Sequence, residues 1–246
     1  MTVITVSRQR GSMGSYVALE VARQLDLRYL DREIIQSVAQ EAGVDVDVVQ
    51  ALEERAGQLA RIRHLLGARP KLPSIASASM RERAALDERL QSLIDRERLH
   101  QEVAVARLES GVSPNYIPRL DYLELITRII LDQAAQDQAM IVGRGGQMIL
   151  HQQPGVLHVQ VVARFETRVY NIIKREGVKW REAAHRVRRS DEQRSGYLRR
   201  FYNVDWLEAS LYDLVISTDR IPCGTAADLI VEAARALERR DDDEEE

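Results

Sequence analysis

The stretch SRQRGSMGS at 7–15 joins three small residues that permit a tight turn, Gly11, Ser12 and Gly14, to two guanidinium donors, Arg8 and Arg10. It follows the apolar run VITV and precedes a helical pattern. A glycine turn that opens a helix presents main-chain N–H groups and the positive end of the helix dipole, which is the chemistry of an anion site, above all for phosphate. On the frame of a nucleotide-binding loop, G-x-x-x-x-G-K-[ST], Arg8 takes the first glycine position and Met13 the second. Gly14 then stands where the lysine belongs, and Ser15 where a hydroxyl binds Mg²⁺. Arg8 and Arg10 can return the missing positive charge from the other side of the loop. A plain strand-to-helix turn would satisfy the same residues.

Further candidates follow other short apolar runs. Asp31 comes directly after RYL and reads either as a helix cap or as a substrate contact. Arg144 sits in GRGGQ after AMIV, flanked by glycines that free the backbone. Arg188, Asp191 and Arg194 recur at three-residue steps, close to one helix face, where they could reach a common ligand. Seven arginines between Arg181 and Arg200 are too dense for solubility alone and suggest a phosphate clamp.

These residues need a scaffold that gathers strand ends. Short apolar runs at 3–6, 28–30, 139–142, 157–162 and 212–218 read as strands. Helical periodicity fills 15–25, 31–43, 121–136, 165–176, 179–202 and 224–239, with a further helix from Asp45. Such alternation predicts an α/β fold, a parallel sheet of about five strands flanked by helices, with ligands beyond the strands' carboxyl ends. Residues 1–49 and 119–240 form the core, with a lid over 179–204. The piece 50–118 is a helical insertion whose charged helix over 80–110 could pair two copies as a homodimer. The closing DDDEEE, 241–246, reads as a disordered, solvated tail.

Composition bounds the partners. The 246 residues carry 45% hydrophobic content and a net charge of −3. The near-balance, the acidic tail and the lack of an aromatic platform beside the arginines argue against a nucleic-acid binder. A single cysteine, Cys223, excludes a disulfide framework. With no membrane-length apolar run and no signal peptide, the chain reads as cytoplasmic and free of membrane.

ITVSRQRGSMGSYVALEVARQLDLRYLDREII, MIVGRGGQMIL and RFYNVDW…YDLVIST together resemble the cytidylate-kinase-like family, relatives of the P-loop nucleoside monophosphate kinases. The resemblance covers roughly residues 3–43 and 121–237. It implies a kinase that uses ATP and Mg²⁺ to phosphorylate a pyrimidine monophosphate, CMP or dCMP first. Gly11, Ser12, Met13, Gly14 and Ser15 then bind the nucleotide, with Ser15 toward Mg²⁺. By the resemblance, Asp31, Arg144 and Asp191 bind substrate and Arg144 and Arg194 contact phosphate; from the residues themselves, Arg8, Arg10 and Arg188 are expected to add to that catalytic charge. The sequence departs from the family at three places: Gly14 replaces the loop lysine, Gly145 an aspartate that helps read cytosine, and Ser37 an acceptor-site arginine. A nucleotide-binding protein with weakened or regulatory function on the same fold is the alternative.

Overall fold

Five strands lie in one sheet in the order β2-β3-β1-β4-β5, every neighbouring pair parallel. They are β1 (Val3–Arg8), β2 (Arg28–Leu30), β3 (Ala139–Val142), β4 (Val156–Val162) and β5 (Leu214–Ser217). Between and after them run α1 (Gly14–Gln24), α2 (Arg32–Ala42), α3 (Arg119–Ala135), α4 (Gly146–Ile149), α5 (Phe165–Glu176), α6 (Trp180–Tyr202) and α7 (Cys223–Glu244). The computed structural model describes residues 2–47, 49 and 119–244. The insertion 50–118, including the dimer helix expected over 80–110, lies outside the described residues, as does most of the helix read from Asp45.

The central strands are apolar on both faces, and the period of two divides their side chains between two cores. Ile4, Val6, Met140, Val142, Val159 and Val161 pack with Val17, Val21 and Ile230 of α1 and α7. Val3, Ala139 and Ile141 face the other way, onto Ile34, Ile126, Ile130 and Met148 of α2, α3 and α4. The segments leaving β1 and β3, which are neighbours, therefore turn to opposite faces of the sheet. A crevice opens between their carboxyl ends, at a topological switch point where such sheets take ligands. A third, smaller cluster of Val169, Ile172, Ala183, Ala184 and Val187 joins α5 to the first half of α6.

Two expectations need correction. Helix α1 begins one residue early, at Gly14 rather than Ser15. Helix α7 runs to Glu244, four residues into the acidic stretch expected to be a tail, because each added residue gains a hydrogen bond once the helix exists. Among the described residues, no helix is long and apolar enough to cross a membrane.

One buried polar residue sets a pH limit on the fold. His158 on β4 lies 2.7 Å through Nδ1 from Thr5 Oγ1 inside the sheet's packing. Burial pushes its imidazole down to about 4; Asp213 opposes that shift and His151 adds to it. Folding thus favours the neutral ring, so stability is full above the unfolded value of about 6.5 and declines as pH falls towards 4. Between pH 7 and pH 5 the expected loss is about 2 kcal/mol. Denaturant midpoints should show it, and His158→Gln should flatten the slope; equal slopes in both proteins would refute the assignment.

Candidate functional site

Arg8 closes β1, and the chain then turns through 9–13 into α1. Local bonds build this turn. Ser12, fully buried, donates its hydroxyl to the carbonyls of Gln9 at 2.8 Å and Val161 at 3.1 Å. Gln9 Oε1 accepts from the amide of Ala163 at 3.0 Å. Asn171 of α5 donates to the Gly11 carbonyl at 2.9 Å, and Thr218 after β5 to the Ser12 carbonyl at 2.7 Å. Because a trans peptide holds C=O and N–H on opposite sides, the Ser12 carbonyl's turn towards Thr218 aims the Met13 amide the other way. Met13, left-handed at φ 62°, caps α1. The Gly14 amide is partly engaged, donating to Ser12 Oγ at 3.3 Å.

Beside this turn lies a cavity of about 400 Å³, in the range of small-ligand sites. Among the described residues, four arginines line it, Arg8, Arg10, Arg144 and Arg194, with one acid, Asp31. Asp31 precedes α2 but makes no side-chain cap bond there. Its carboxylate instead accepts from Arg8 at 2.8 Å and lies 3.8 Å from Arg144. Arg144 follows β3 in a run of left-handed residues, Gly143 at φ 84°, Arg144 at 56° and Gly145 at 72°. A non-glycine residue held there carries backbone strain of the kind that marks functional positions. Tyr197 of α6 donates to the Arg144 carbonyl at 3.3 Å.

Charge in the cavity is poorly balanced. Protein surrounds Arg194 on nearly all sides, although its side chain keeps some contact with the open cavity. Loss of water lowers its pKa to about 9, Arg8 adds to that, Asp191 opposes it, and Arg10 and Arg144 complete the repulsion. It still carries its charge at neutral pH. The Nε of Arg10 is buried with no hydrogen-bond partner among the described residues. Such an arrangement wants an anion carrying several negative charges.

The expected ladder on α6 does not converge. Arg194 enters the cavity, where it donates to Ser190 Oγ. Asp191 binds Arg168 of α5, one NH group lying 2.8 Å from both carboxylate oxygens. Arg188 turns to the Phe165 ring, 4.9 Å from its centroid, and does not line the cavity. Each three-residue step rotates a helix position by about 60°, so residues six apart diverge by about 120° and meet different neighbours. The arginine density of α6 also has other uses: Arg186 binds Glu182 at 2.8 Å and Glu176 at 2.6 Å.

Sequence reasoning missed several contributors. Gln147, Gln193, Tyr197 and Trp206 line the cavity. Arg168 is almost wholly buried, and Glu176 gathers Arg10 at 3.0 Å, Arg175 at 2.6 Å and Arg186. Those bonds, Arg175's first, hold Glu176 down to about 2. Gln147, an amide among apolar letters in GRGGQMIL, and Trp206, inside RFYNVDW, left signals that could have been noticed.

The residues do not fit a Mg²⁺ ion at Ser15. Its Oγ accepts from Arg8 Nε at 3.4 Å and is hydrogen-bonded to Tyr29, whose own pKa is raised, chiefly by burial. The acid of the cavity is held by the same Arg8. Mg²⁺ requires oxygen ligands in a near-octahedral shell, and a guanidinium among them offers only N–H donors and like charge.

Comparisons with known proteins bear on this site. A crystal structure of an uncharacterized protein from Eubacterium ventriosum is similar in fold, with a TM-score of 0.62 and 18% identity over 96% of this chain and 98% of that one. A uronate isomerase from Corynebacterium glutamicum is 31% identical over 106 residues, 43% of this chain. The chain spans 20% of the length of that isomerase. The model of the cytidylate kinase-like family matches residues 3–220, from β1 through β5 and past it, and so takes in every arginine of the cavity. On that match, the chain belongs to the cytidylate kinase-like family.

Proposed function

We propose that the protein is a nucleoside monophosphate kinase that moves the γ-phosphoryl group of ATP to a pyrimidine monophosphate, CMP or dCMP ahead of others. Kinases of this family generally use ATP and Mg²⁺. The observation that carries the reading is the cavity of four arginines around one carboxylate, at the crevice between β1 and β3. The excess of positive charge over that carboxylate suits an acceptor phosphate and the phosphoryl group in flight.

Phosphoryl transfer asks a protein for position and charge rather than covalent help. An oxygen of the acceptor phosphate attacks the γ-phosphorus of ATP. The bond from that phosphorus to the β,γ-bridging oxygen breaks, and ADP leaves with the electron pair. The acceptor, with a second pKa of about 6, is mainly dianionic at neutral pH, so no general base is needed. Arg144 and Arg194 hold the acceptor phosphate, Arg8 and Arg10 the donor, and Gly11 to Ser15 offer main-chain amides. Asp31 orients Arg8 and lies within reach of substrate hydroxyls.

A protein that binds nucleotide without transferring it is the second reading, favoured by the absent loop lysine at Gly14. Turnover measured with CMP, dCMP, UMP and AMP, beside ATP binding, separates the two. Acceptor-dependent ADP release is expected, fastest with CMP or dCMP. Tight binding with the same slow ADP release whatever the acceptor would favour the second reading.

A further inference from the structure

The misfit of Ser15 to a metal ion has a positive counterpart in Arg8. One guanidinium reaches both oxygen donors that a cation at this loop would draw on: Ser15 Oγ from Nε at 3.4 Å and Asp31 Oδ2 from NH2 at 2.8 Å. The side chain is mostly buried, 12% exposed, so this is a seated group rather than a surface arm. Its path is built into the backbone. At Gly143 an added Cβ would stand 2.5 Å from Arg8 NH1, so a side chain there would press on the guanidinium. Gly143 also holds φ at 84°, which favours glycine independently. Among the described residues, Asp31 is the sole acid lining the cavity, and no cluster of His, Cys, Asp or Glu could hold a metal.

We infer that Arg8 takes the place of the divalent cation at the phosphate loop, so that nucleotide binds there as a metal-free polyphosphate. The inference rests on the nucleotide-kinase reading of the cavity. A guanidinium is suited to the role: it stays charged, and its fork of N–H donors can span two phosphate oxygens as a cation spans them. It also disfavours a neighbouring Mg²⁺, because both would carry positive charge into the same space. Arg10, Arg144 and Arg194 supply the remaining charge from the other walls.

ATP binding to the full chain by calorimetry, once with Mg²⁺ and once with EDTA, tests this without any need for turnover. The two affinities should agree within about threefold, a coupling near unity between metal and nucleotide. Manganese in place of magnesium, followed by its electron-spin signal, should bind no better to protein with ATP than to ATP alone. Arg8→Gly restores the residue of the ordinary loop, and Arg8→Gln keeps the side chain's bulk should the glycine variant fail to fold. Either should make ATP binding depend on Mg²⁺ by about tenfold or more. A wild-type affinity that drops by more than about tenfold in EDTA would overturn the inference while leaving the kinase reading intact. No ATP binding under either condition would overturn the kinase reading itself, and the inference with it.

Discussion

Gly14→Lys, which writes the usual phosphate-loop lysine back into the chain, should cost stability and fail to tighten ATP binding. Gly14 is buried at the start of α1, and a Cβ there would come within 2.6 Å of Arg8 Cβ and 3.0 Å of Val161 Cβ. Neither contact is with the loose end of a side chain. Arg8 Cβ is fixed to the end of β1, and Val161 belongs to the sheet beside it. Overpacking of this kind costs typically about 1–3 kcal/mol, so Gly14→Ala alone should lower the melting temperature by several degrees. The lysine then adds an ammonium near guanidiniums that already repel one another. Melting curves of the alanine and lysine variants, with ATP titrations of each, separate packing from charge. A lysine variant as stable as the parent and binding ATP more tightly would show that the loop has room for the ordinary arrangement, and the substitution of arginine for lysine would lose its physical basis.

The same contacts explain which parts of the site could be seen in the sequence. Strand positions were legible because short apolar runs alternate with periodic helices, and all five expected strands appear within a few residues of their places. Arg8, Arg10, Asp31 and Arg144, which line the cavity, were legible as candidates because each closes a strand or follows one within two residues, where the chain must cross the carboxyl edge of a parallel sheet. Arg188 and Asp191 were misplaced because periodicity reports which face a residue occupies but not which neighbour waits there. Phe165 and Arg168 on α5 claim them, and that pairing depends on how two helices pack. Arg168 itself reads as an ordinary charged position of an amphipathic helix; only the packing of α5 under the loop buries it. Gly145, read as a lost aspartate, has a reason that no local pattern contains: a Cβ there would meet the Tyr202 ring at 2.8 Å. The seven arginines of α6 were over-read as one clamp, since Arg186 is paired with Glu176 of α5 and Glu182 of α6, and Arg188 lies over the Phe165 ring.

Arg194→Met should abolish phosphoryl transfer while making the empty protein more stable. Two opposite consequences from one substitution follow from where the guanidinium sits. It has lost most of its water, and Arg8, Arg10 and Arg144 oppose its charge more than Asp191, already bound to Arg168, can offset. A lowered pKa in a base means that folding disfavours its charged form, so removing the charge releases that penalty. Methionine keeps much of the volume and asks for no water. A gain of about 1–2 kcal/mol, or roughly 3–6 °C in melting temperature, is expected. On the proposed function, the wild-type fold would offset that penalty in another way, when a polyphosphate enters and pairs with the cluster. ATP should therefore raise the melting temperature of the wild type more than that of Arg194→Met. Transfer should fall by about 10³-fold, the scale on which an arginine stabilises a phosphoryl group in flight. A variant that melts lower than the parent, or that transfers phosphate at the parent's rate, would mean that Arg194 serves the fold and not the ligand. The stability gain is the sharper half of the test, because a residue kept only for packing would show the opposite sign.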